Sequence, residues 1–377
     1  MNNHPNFEKA IDKLPYNILV TASGLSPVGI NTVCSLKNRV NKIVGVDIDG
    51  ENTAGYFSDK FYTVPLAKDR NYLKRILMIS KKEKIDAVFP LTIEELLVLS
   101  KNKDKLDKLK IKIIGETNYN VLRICNDKWL TNKYLNQKGL SVPLACAPKS
   151  IKELMQNAKQ LGYPGRKIVF KPRVTHGSRG FRILAESYDK FDLLFNHKPT
   201  DNIFLSLEEL IDSLRYAKKL PMAMLMEYLE GEDYSVYLFC EKGKSLAVVP
   251  MRRAGLIPGM STGGIIQKDN QIISYVKNIV KALSLSGPIN IQLIKTKKGP
   301  RLYEINARIS ATTVMTMGTY LNYPFLSVLQ AFGFHQKVYS LISNTEIRWD
   351  SRLFRIQKEI FQDGDGRFWI SDSQVGI

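Results

Sequence analysis

Short apolar runs alternate with segments of helical periodicity over the first 115 residues. The runs predict strands, which lie at residues 17–21, 41–49, 61–64, 87–90 and 111–115. Between them, helical spacing of apolar residues predicts three helices. The first begins near Ile30, the second covers Tyr72–Lys82 and the third runs through Leu99. Alternating strands and helices are typical of a mostly parallel, doubly wound sheet. We therefore predict an α/β domain over residues 1–118.

The first turn of this domain contains two glycines, which raises the question of a dinucleotide site. Gly24 and Gly29 stand five residues apart, whereas the dinucleotide fingerprint places its last two glycines three apart. Asp47 lies at a suitable distance downstream, but the glycine spacing argues against a nicotinamide cofactor. A helix N-terminus that receives an anion stays open as an alternative. Glu94 and Glu95 follow the end of a strand. They are interpreted either as ligand contacts or as first-turn acids that the helix dipole stabilises.

The second part of the chain mixes strands and helices without strict alternation. Helical patterns cover residues 120–139, 151–161, 206–219 and 271–283. Apolar runs predict strands at residues 167–171, 223–229 and 245–250, and a closing strand at 351–355. The glycines between Gly255 and Gly264 predict a mobile loop. This pattern indicates α+β architecture after the first domain.

Residues 287–310 form a predicted hairpin with a polar face. Glu304, Asn306 and Arg308 alternate along the second strand, so their side chains point the same way, and Gln292 lies on the first strand. Carboxylate and carboxamide oxygens beside a guanidinium suit Mg²⁺ that carries phosphates. The alternative is an ordinary solvated sheet face.

A glycine-containing loop follows the strand that ends at Lys171. It runs from Arg173 to Phe181 and includes Gly177 and Gly180, which let backbone N–H groups approach an anion closely. A lysine beside such a loop suits a triphosphate, although the sequence is not a P-loop. The alternative is a hairpin turn. His176 is interpreted as a loop donor, and the four histidines show no metal-ligand spacing.

An apolar strand at Ala223–Leu229 becomes acidic after Leu229. Such a strand could hold an adenine by its backbone edge and a ribose by a carboxylate. A core strand followed by a solvated turn is the alternative.

Composition and charge narrow the class of protein. The 377 residues include 55 Lys and Arg against 36 Asp and Glu, a formal net charge of +19. The lysines are spread over solvated helix faces such as Lys101–Lys110, so we expect a lysine-rich surface and no nucleic-acid partner. No apolar run spans a bilayer, no signal core opens the chain, and the four cysteines lie far apart. These features predict a cytoplasmic protein without a membrane partner.

Taken in order, Lys128, Lys171, the glycine loop, the acidic turn and the polar hairpin resemble an ATP-grasp enzyme. The resemblance covers nearly the whole chain and is to the branch with carbamoyl phosphate synthetase large-subunit domains and stand-alone carboxylate–amine ligases. It implies a Rossmann-like pre-ATP-grasp domain at 1–118 and a two-lobed ATP-grasp domain. The small lobe would take in 119–190 and 191–240, with an adenine hinge within about 140–228, and the large lobe 229–377.

The resemblance also implies roles for individual residues. Lys128 and Lys171 would reach the nucleotide phosphates, and Lys171 and Arg308 would serve the chemical step. The other implied nucleotide contacts are His176, Gly177, Ser178, Arg179 and Gly180 in the lid, Glu227, Tyr228 and Leu229 at the hinge, and Asp233 at the ribose. Gln292, Glu304 and Asn306 would face the metal. Arg252, Arg253, Ser261 and Gly263 would contact the acceptor.

The implied reaction is ATP- and Mg²⁺-dependent joining of a small carboxylate, such as an amino acid, to an amine through an acyl phosphate; Mn²⁺ is an alternative metal. Such chemistry needs no protein nucleophile. Activation of bicarbonate, as in carbamoyl phosphate synthesis, and a non-catalytic ATP-binding sensor or scaffold are alternatives. The resemblance also leaves a homodimer open, because dimers are common among such enzymes.

Two departures from the family pattern qualify this expectation. The stretch after Arg308, residues 309–315, has no glycine where many such ligases have a glycine-bearing turn, which predicts a reshaped acceptor pocket. The chain has one grasp unit and no amidotransferase portion, so complete carbamoyl phosphate synthesis by this chain alone is not expected.

Overall fold

The computed structural model describes residues 13–25, 27–175, 177–197, 203–217, 220–257, 260–354, 359–365 and 367–370. Within these ranges only the backbone is described at 255–257, 260–262, 314–315 and 368–370. The strands are β1 Leu14–Thr21, β2 Val40–Asp47, β3 Lys60–Thr63, β4 Ala87–Phe89, β5 Lys112–Ile113, β6 Ala145–Cys146, β7 Ile168–Pro172, β8 Arg182–Leu184, β9 Phe204–Leu205, β10 Ala223–Glu227, β11 Glu232–Glu241, β12 Lys244–Ile257, β13 Met260–Ile266, β14 Gly287–Thr296, β15 Gly299–Asn306, β16 Arg352–Phe354, β17 Ile360–Gln362 and β18 Phe368–Ile370.

The helices fall between these strands. They are α1 Val28–Leu36, α2 Ala54–Phe57, α3 Tyr72–Glu83, α4 Ile93–Lys101, α5 Lys103–Lys108, α6 Tyr119–Asn126, α7 Lys128–Gln137, α8 Ile151–Gln160, α9 Lys190–Phe195, α10 Leu207–Arg215, α11 Asn270–Leu283, α12 Tyr323–Ala331 and α13 His335–Ser343, with a 3-10 helix at Thr313–Thr319. In the described part of the chain, no helix has the length and apolar character needed to cross a membrane. All four cysteines are free.

The chain divides into two compact units. The first comprises residues 1–119, 286–288 and 308–377, and the second comprises 120–285 and 289–307. The residues after Arg308 thus belong by their contacts to the N-terminal unit, whereas the sequence prediction grouped them with the large lobe.

The first unit contains the predicted doubly wound sheet. Its strands lie in the order β3-β2-β1-β4-β5 and pair in parallel. Central β1 is buried, with Ile18, Leu19 and Val20 at 0% exposure, as expected for a strand covered on both faces. Glu95 is buried and accepts a hydrogen bond from Thr21 Oγ1 at 2.7 Å. It also forms a capping box with Thr92 at the start of α4, so this acid organises the sheet edge.

The second unit contains two mixed sheets. The first has the order β6-β10-β7-β8-β9, and the strands of the second within this unit run β15-β14-β11-β12-β13. One face of the first sheet packs against α8 and α10 around Phe170, Leu184 and Leu225. The fold class predicted from the sequence, a doubly wound domain followed by a mixed domain, is confirmed.

The prediction of a mobile loop at Gly255–Gly264 is wrong for the described residues. Strand β12 continues to Ile257 and β13 begins at Met260, and Gly263 and Gly264 pair with Ala254 and Arg253 in the ladder. A Cβ on Gly264 would lie 2.5 Å from Met251 Sδ. This glycine therefore allows close packing within a strand and does not mark a loop. The helical stretch predicted at 120–139 forms two helices, α6 and α7, and Asp127 between them is the N-cap of α7.

Candidate active site

A pocket lined by both polar and apolar side chains lies within the second unit and is open to solvent. The residues that line it come from α7, β7, β10 and β15 and from the segment after α7, and they are Lys128, Thr131, Asn132, Val142, Lys171, Met224, Met226, Leu302, Tyr303 and Glu304. Both predicted phosphate-contacting lysines and one predicted metal ligand thus reach the same cavity.

The two lysines approach the pocket from different elements. Lys171 lies in β7 with 5% exposure, and its Nζ donates to the carbonyl oxygen of Tyr303 at 3.3 Å. Lys128 begins α7, and its Nζ donates to the carbonyl oxygen of Thr175 at 2.9 Å. The same Nζ lies 3.5 Å from Glu304 Oε2. Two ammonium groups and one carboxylate therefore converge where an anionic ligand would need both positive charges.

Burial changes the proton affinity of Lys171. Removal from water lowers the pKa of Lys171 to about 7, and repulsion by Lys128 adds to this effect, while attraction by Glu304 opposes it. A phosphate beside the two ammonium groups would favour the charged form. The pocket is therefore suited electrostatically to a polyanion.

An apolar wall faces the polar end of the pocket. Val169, Met224 and Met226 form a buried cluster. The partly buried side chains that pack on it are Trp129, Ala145, Phe181, Leu229 and Tyr303. Flexible methionines and flat aromatic rings are suitable neighbours for a planar heterocycle.

The polar hairpin predicted from the sequence is present, and its register brings together the residues predicted to face a metal. Gln292 of β14 pairs with Glu304 of β15, and Asn306 pairs with Asn290. The Nδ2 group of Asn306 donates to Glu304 Oε1 at 3.2 Å. Among the described residues no group of three His, Cys, Asp or Glu side chains is placed to hold a metal. One carboxylate with two carboxamides fits Mg²⁺ that takes its remaining ligands from phosphates and water.

The predicted lid follows β7, and the predicted hinge begins at the end of β10. Gly177, Ser178 and Gly180 all have positive φ (64°, 58° and 73°), and Thr175 Oγ1 donates to the carbonyl oxygen of Arg179 at 3.3 Å. The turn thus has the left-handed backbone that its glycines favour. His176 lies outside the described residues.

At the hinge, Glu227 ends β10, and its side chain accepts a hydrogen bond from Leu144 N at 2.8 Å. Tyr228 is exposed, whereas Leu229 packs on the apolar wall. The nucleotide roles of these three residues stay predictions.

Asp233 and Arg253, predicted for the ribose and the acceptor, contact each other. Arg253 Nη1 donates to Asp233 Oδ2 at 2.9 Å and to the Tyr303 hydroxyl at 3.0 Å, and that hydroxyl donates to Asp233 Oδ1 at 2.9 Å. Burial raises the pKa of Asp233 despite the neighbouring guanidinium. Both carboxylate oxygens already accept a hydrogen bond from the protein, so the structure gives Asp233 a role in holding Arg253.

The other predicted acceptor and chemical-step residues are less tightly grouped. Arg252 makes a more exposed ion pair with Glu232 at 3.2 Å. Gly263 lies in β13, and the side chain of Ser261 is not described. Arg308 is half-buried and belongs to the first unit, where its Nη1 donates to the carbonyl oxygen of Ile309 at 2.7 Å. Its catalytic role stays a prediction.

Sequence reasoning missed two polar residues of the hairpin, the partly buried Tyr303 and the buried Asn290. Tyr303 has no partner in the β14–β15 ladder, because Gln292 pairs with Glu304 and Leu293 pairs with Leu302. It is therefore a bulge residue that turns its ring toward the pocket. Asn290 is fully buried, donates to Ser235 Oγ at 2.8 Å, and its Oδ1 has no hydrogen-bond partner among the described residues. The Asn-x-Gln spacing at 290–292 places both side chains on one face and was the available signal.

Family models match both parts of the fold. Residues 219–352 match the family model described as ATP-grasp in the biosynthetic pathway with Ter operon, and residues 18–114 match the PylC-like N-terminal domain. The fold and these matches make the chain similar to ATP-grasp proteins.

Curated relatives include carbamoyl phosphate synthase large chains. The protein from Pseudothermotoga lettingae is 25% identical over 322 residues, which cover 78% of this chain and 26% of that protein. The protein from Clostridium acetobutylicum is 20% identical over 346 residues, which cover 89% of this chain and 30% of that protein. The chain thus spans less than a third of the length of these relatives.

Solved structures share the fold at low identity. The L-amino acid ligase from Bacillus licheniformis superposes with a TM-score of 0.64 at 17% identity, over 93% of this chain and 83% of that one. The biotin carboxylase domain of Hydrogenobacter thermophilus 2-oxoglutarate carboxylase, in complex with MgADP and bicarbonate, gives a TM-score of 0.63 at 17% identity, over 85% and 70%.

Proposed function

We propose that the chain is an ATP- and Mg²⁺-dependent carboxylate–amine ligase that acts on a small carboxylate such as an amino acid. The observation that carries the proposal is the convergence of Lys128, Lys171 and Glu304 at the polar end of a pocket whose other wall is apolar. Adenine suits the apolar wall, and the phosphates suit the two lysines. ATP-grasp relatives crystallised with ADP support the nucleotide.

The proposed reaction has two steps. An oxygen of the substrate carboxylate attacks the γ-phosphorus of ATP, and the bond to the ADP oxygen breaks, which gives an acyl phosphate and ADP. The amine nitrogen then attacks the acyl carbon, phosphate leaves with the bonding electron pair, and the nitrogen loses a proton to give the amide. Lys128 and Lys171 offset the negative charge that would otherwise repel the attacking carboxylate. Mg²⁺ held by Gln292, Glu304 and Asn306 would supply further neutralisation of the phosphates.

Product analysis tests this proposal directly. Protein incubated with MgATP and a mixture of amino acids and amines is expected to release ADP and phosphate in equal amounts. It is also expected to form a product whose mass is that of the two substrates less water. Glu304→Ala is expected to lower turnover at least about a hundredfold, because the phosphates lose metal support. Glu208→Ala, an exposed α10 carboxylate, is the control. Unchanged turnover in Glu304→Ala would contradict the metal assignment.

Bicarbonate is a second candidate for the carboxylate. The matches to carbamoyl phosphate synthases, and to a biotin carboxylase domain whose complex contains bicarbonate, favour it. ATP turnover that bicarbonate stimulates without any amino acid would select this alternative. ATP binding without any product would select the sensor or scaffold.

We also propose the cytoplasm as the compartment and a homodimer as the assembly. The free cysteines support a reducing compartment. The dimer described for the Hydrogenobacter domain supports self-association. Light scattering of the purified protein tests the assembly.

A further inference from the structure

The segment that precedes Lys128 carries a buried acid with two sets of partners. Asp127 is the N-cap of α7 and is 7% exposed. Its Oδ1 accepts hydrogen bonds from Trp129 N at 3.0 Å and Leu130 N at 3.1 Å. These bonds satisfy amides at the start of the helix, as expected of an aspartate N-cap. A serine at this position would cap the helix equally well, so capping alone does not explain a carboxylate.

The second partner of Asp127 is Arg173, at the base of the glycine lid. Arg173 Nη2 donates to Asp127 Oδ2 at 2.6 Å, and Nε lies 3.1 Å from Oδ1 and 3.2 Å from Oδ2. The backbones meet as well, because Lys128 N donates to the carbonyl oxygen of Arg173 at 3.0 Å. A fork-like guanidinium contact of this kind fixes orientation as well as distance.

Each member of this pair adjoins one of the pocket lysines. Asp127 immediately precedes Lys128, and Arg173 lies two residues after Lys171. Lys128 Nζ also holds the carbonyl oxygen of Thr175 in the same lid segment. The two ammonium groups reach the same pocket and carry the same charge, so they repel each other. Without a ligand, this repulsion would favour conformations in which the lysines move apart.

We propose that Asp127 and Arg173 form a positioning pair that fixes the start of α7 against the lid base, so that Lys128 and Lys171 bind the same polyphosphate. This inference rests on the proposed nucleotide function of the pocket. Neither residue touches the ligand in this scheme. The pair acts on the phosphates only through the two lysines, and the apolar wall that would receive adenine does not depend on it.

Two variants separate positioning from helix capping. Asp127→Ser keeps a good N-cap but removes the carboxylate, and Arg173→Lys keeps the charge but removes the planar fork. Arg215→Lys is the matched control, because Arg215 makes an ion pair with Asp212 in which both side chains are largely exposed. Binding of MgADP is measured by calorimetry, binding of adenosine by competition with MgADP, and folding by thermal melting.

The expected result is a loss of at least about tenfold in MgADP affinity for Asp127→Ser and for Arg173→Lys, with adenosine affinity within about twofold of wild type. The double variant is expected to lose no more MgADP affinity than whichever single variant binds MgADP more weakly, because the two residues act as one unit. Arg215→Lys is expected to bind both ligands normally.

Other results would overturn the proposal. MgADP affinity within twofold of wild type, or equal losses for MgADP and adenosine with a lowered melting temperature, would leave the pair only a structural role. Wild-type protein that binds no MgADP would overturn the proposed nucleotide function and this inference with it.

Discussion

Lys171 is the residue whose chemistry depends most on its surroundings. Its pKa is lowered to about 7 because the ammonium is buried beside Lys128, with only partial compensation from Glu304. A bound polyphosphate would favour the charged form, so binding at higher pH must be accompanied by proton uptake. Below pH 7 the ammonium is already charged and this requirement disappears.

We therefore expect MgADP affinity to fall as pH rises above about 7, by up to about tenfold per pH unit. Calorimetry from pH 6.5 to 8.5 measures the effect. Lys171→Arg stays charged throughout and should flatten the profile. An equal slope in wild type and Lys171→Arg would show that another group titrates.

The sequence predicted the charged residues of the pocket but not what positions them. Lys171 and Glu304 were predicted because a polyphosphate and its metal require cations and a carboxylate. Lys128 was implied by the resemblance to ATP-grasp enzymes, and all three residues line one pocket. The contact between Asp127 and Arg173 joins positions 46 residues apart, and local periodicity contains no information about such a pair. The ion pair between Asp233 and Arg253 could not be predicted for the same reason, so the two residues were assigned to different ligands.

The β14–β15 hairpin is the element that joins the polar end of the pocket to its apolar wall, because Glu304 lies at the former and Tyr303 packs on the latter. Alternation of apolar and polar residues predicted both strands and the shared face of Glu304 and Asn306. It did not predict the bulge, because Tyr303 fits the apolar alternation as well as a paired residue would. At the bulge, the Tyr303 carbonyl oxygen accepts a hydrogen bond from Lys171. The Tyr303 hydroxyl accepts one from Arg253 and donates one to Asp233.

Deletion of Tyr303 tests whether the bulge serves the site. Leu302 and Glu304 already pair with neighbouring residues of β14, so the deletion should leave a regular ladder with Glu304 still opposite Gln292. We expect a folded protein whose MgADP affinity falls at least about tenfold, because Lys171 loses its carbonyl partner and the pocket loses a ring. Melting curves and calorimetry measure both properties.

Tyr303→Phe is the control for this deletion. It keeps the ring and the bulge and loses only the hydroxyl, so MgADP affinity should stay within about twofold of wild type. A deletion variant that binds MgADP as wild type does would show that the bulge is dispensable for the nucleotide.

At the scale of the whole molecule, the net charge of +19 is the property that the pocket does not explain. In α5 the lysines alternate with acids, and Lys103 forms an ion pair with Asp107. Interspersed charges of this kind favour a general positive field that attracts small anions, whereas a duplex needs a continuous basic surface.

Salt titrations distinguish a general field from a nucleic-acid site. Binding to random duplex DNA should be weak, with a dissociation constant above about 10⁻⁶ M near physiological salt. Its logarithmic dependence on salt concentration should have a slope shallower than about −3, because few phosphates would be neutralised at once. A surface built for six or more phosphates would give a slope steeper than about −5. That result would contradict the lysine-rich-surface interpretation, because only a contiguous set of cations releases so many counterions together.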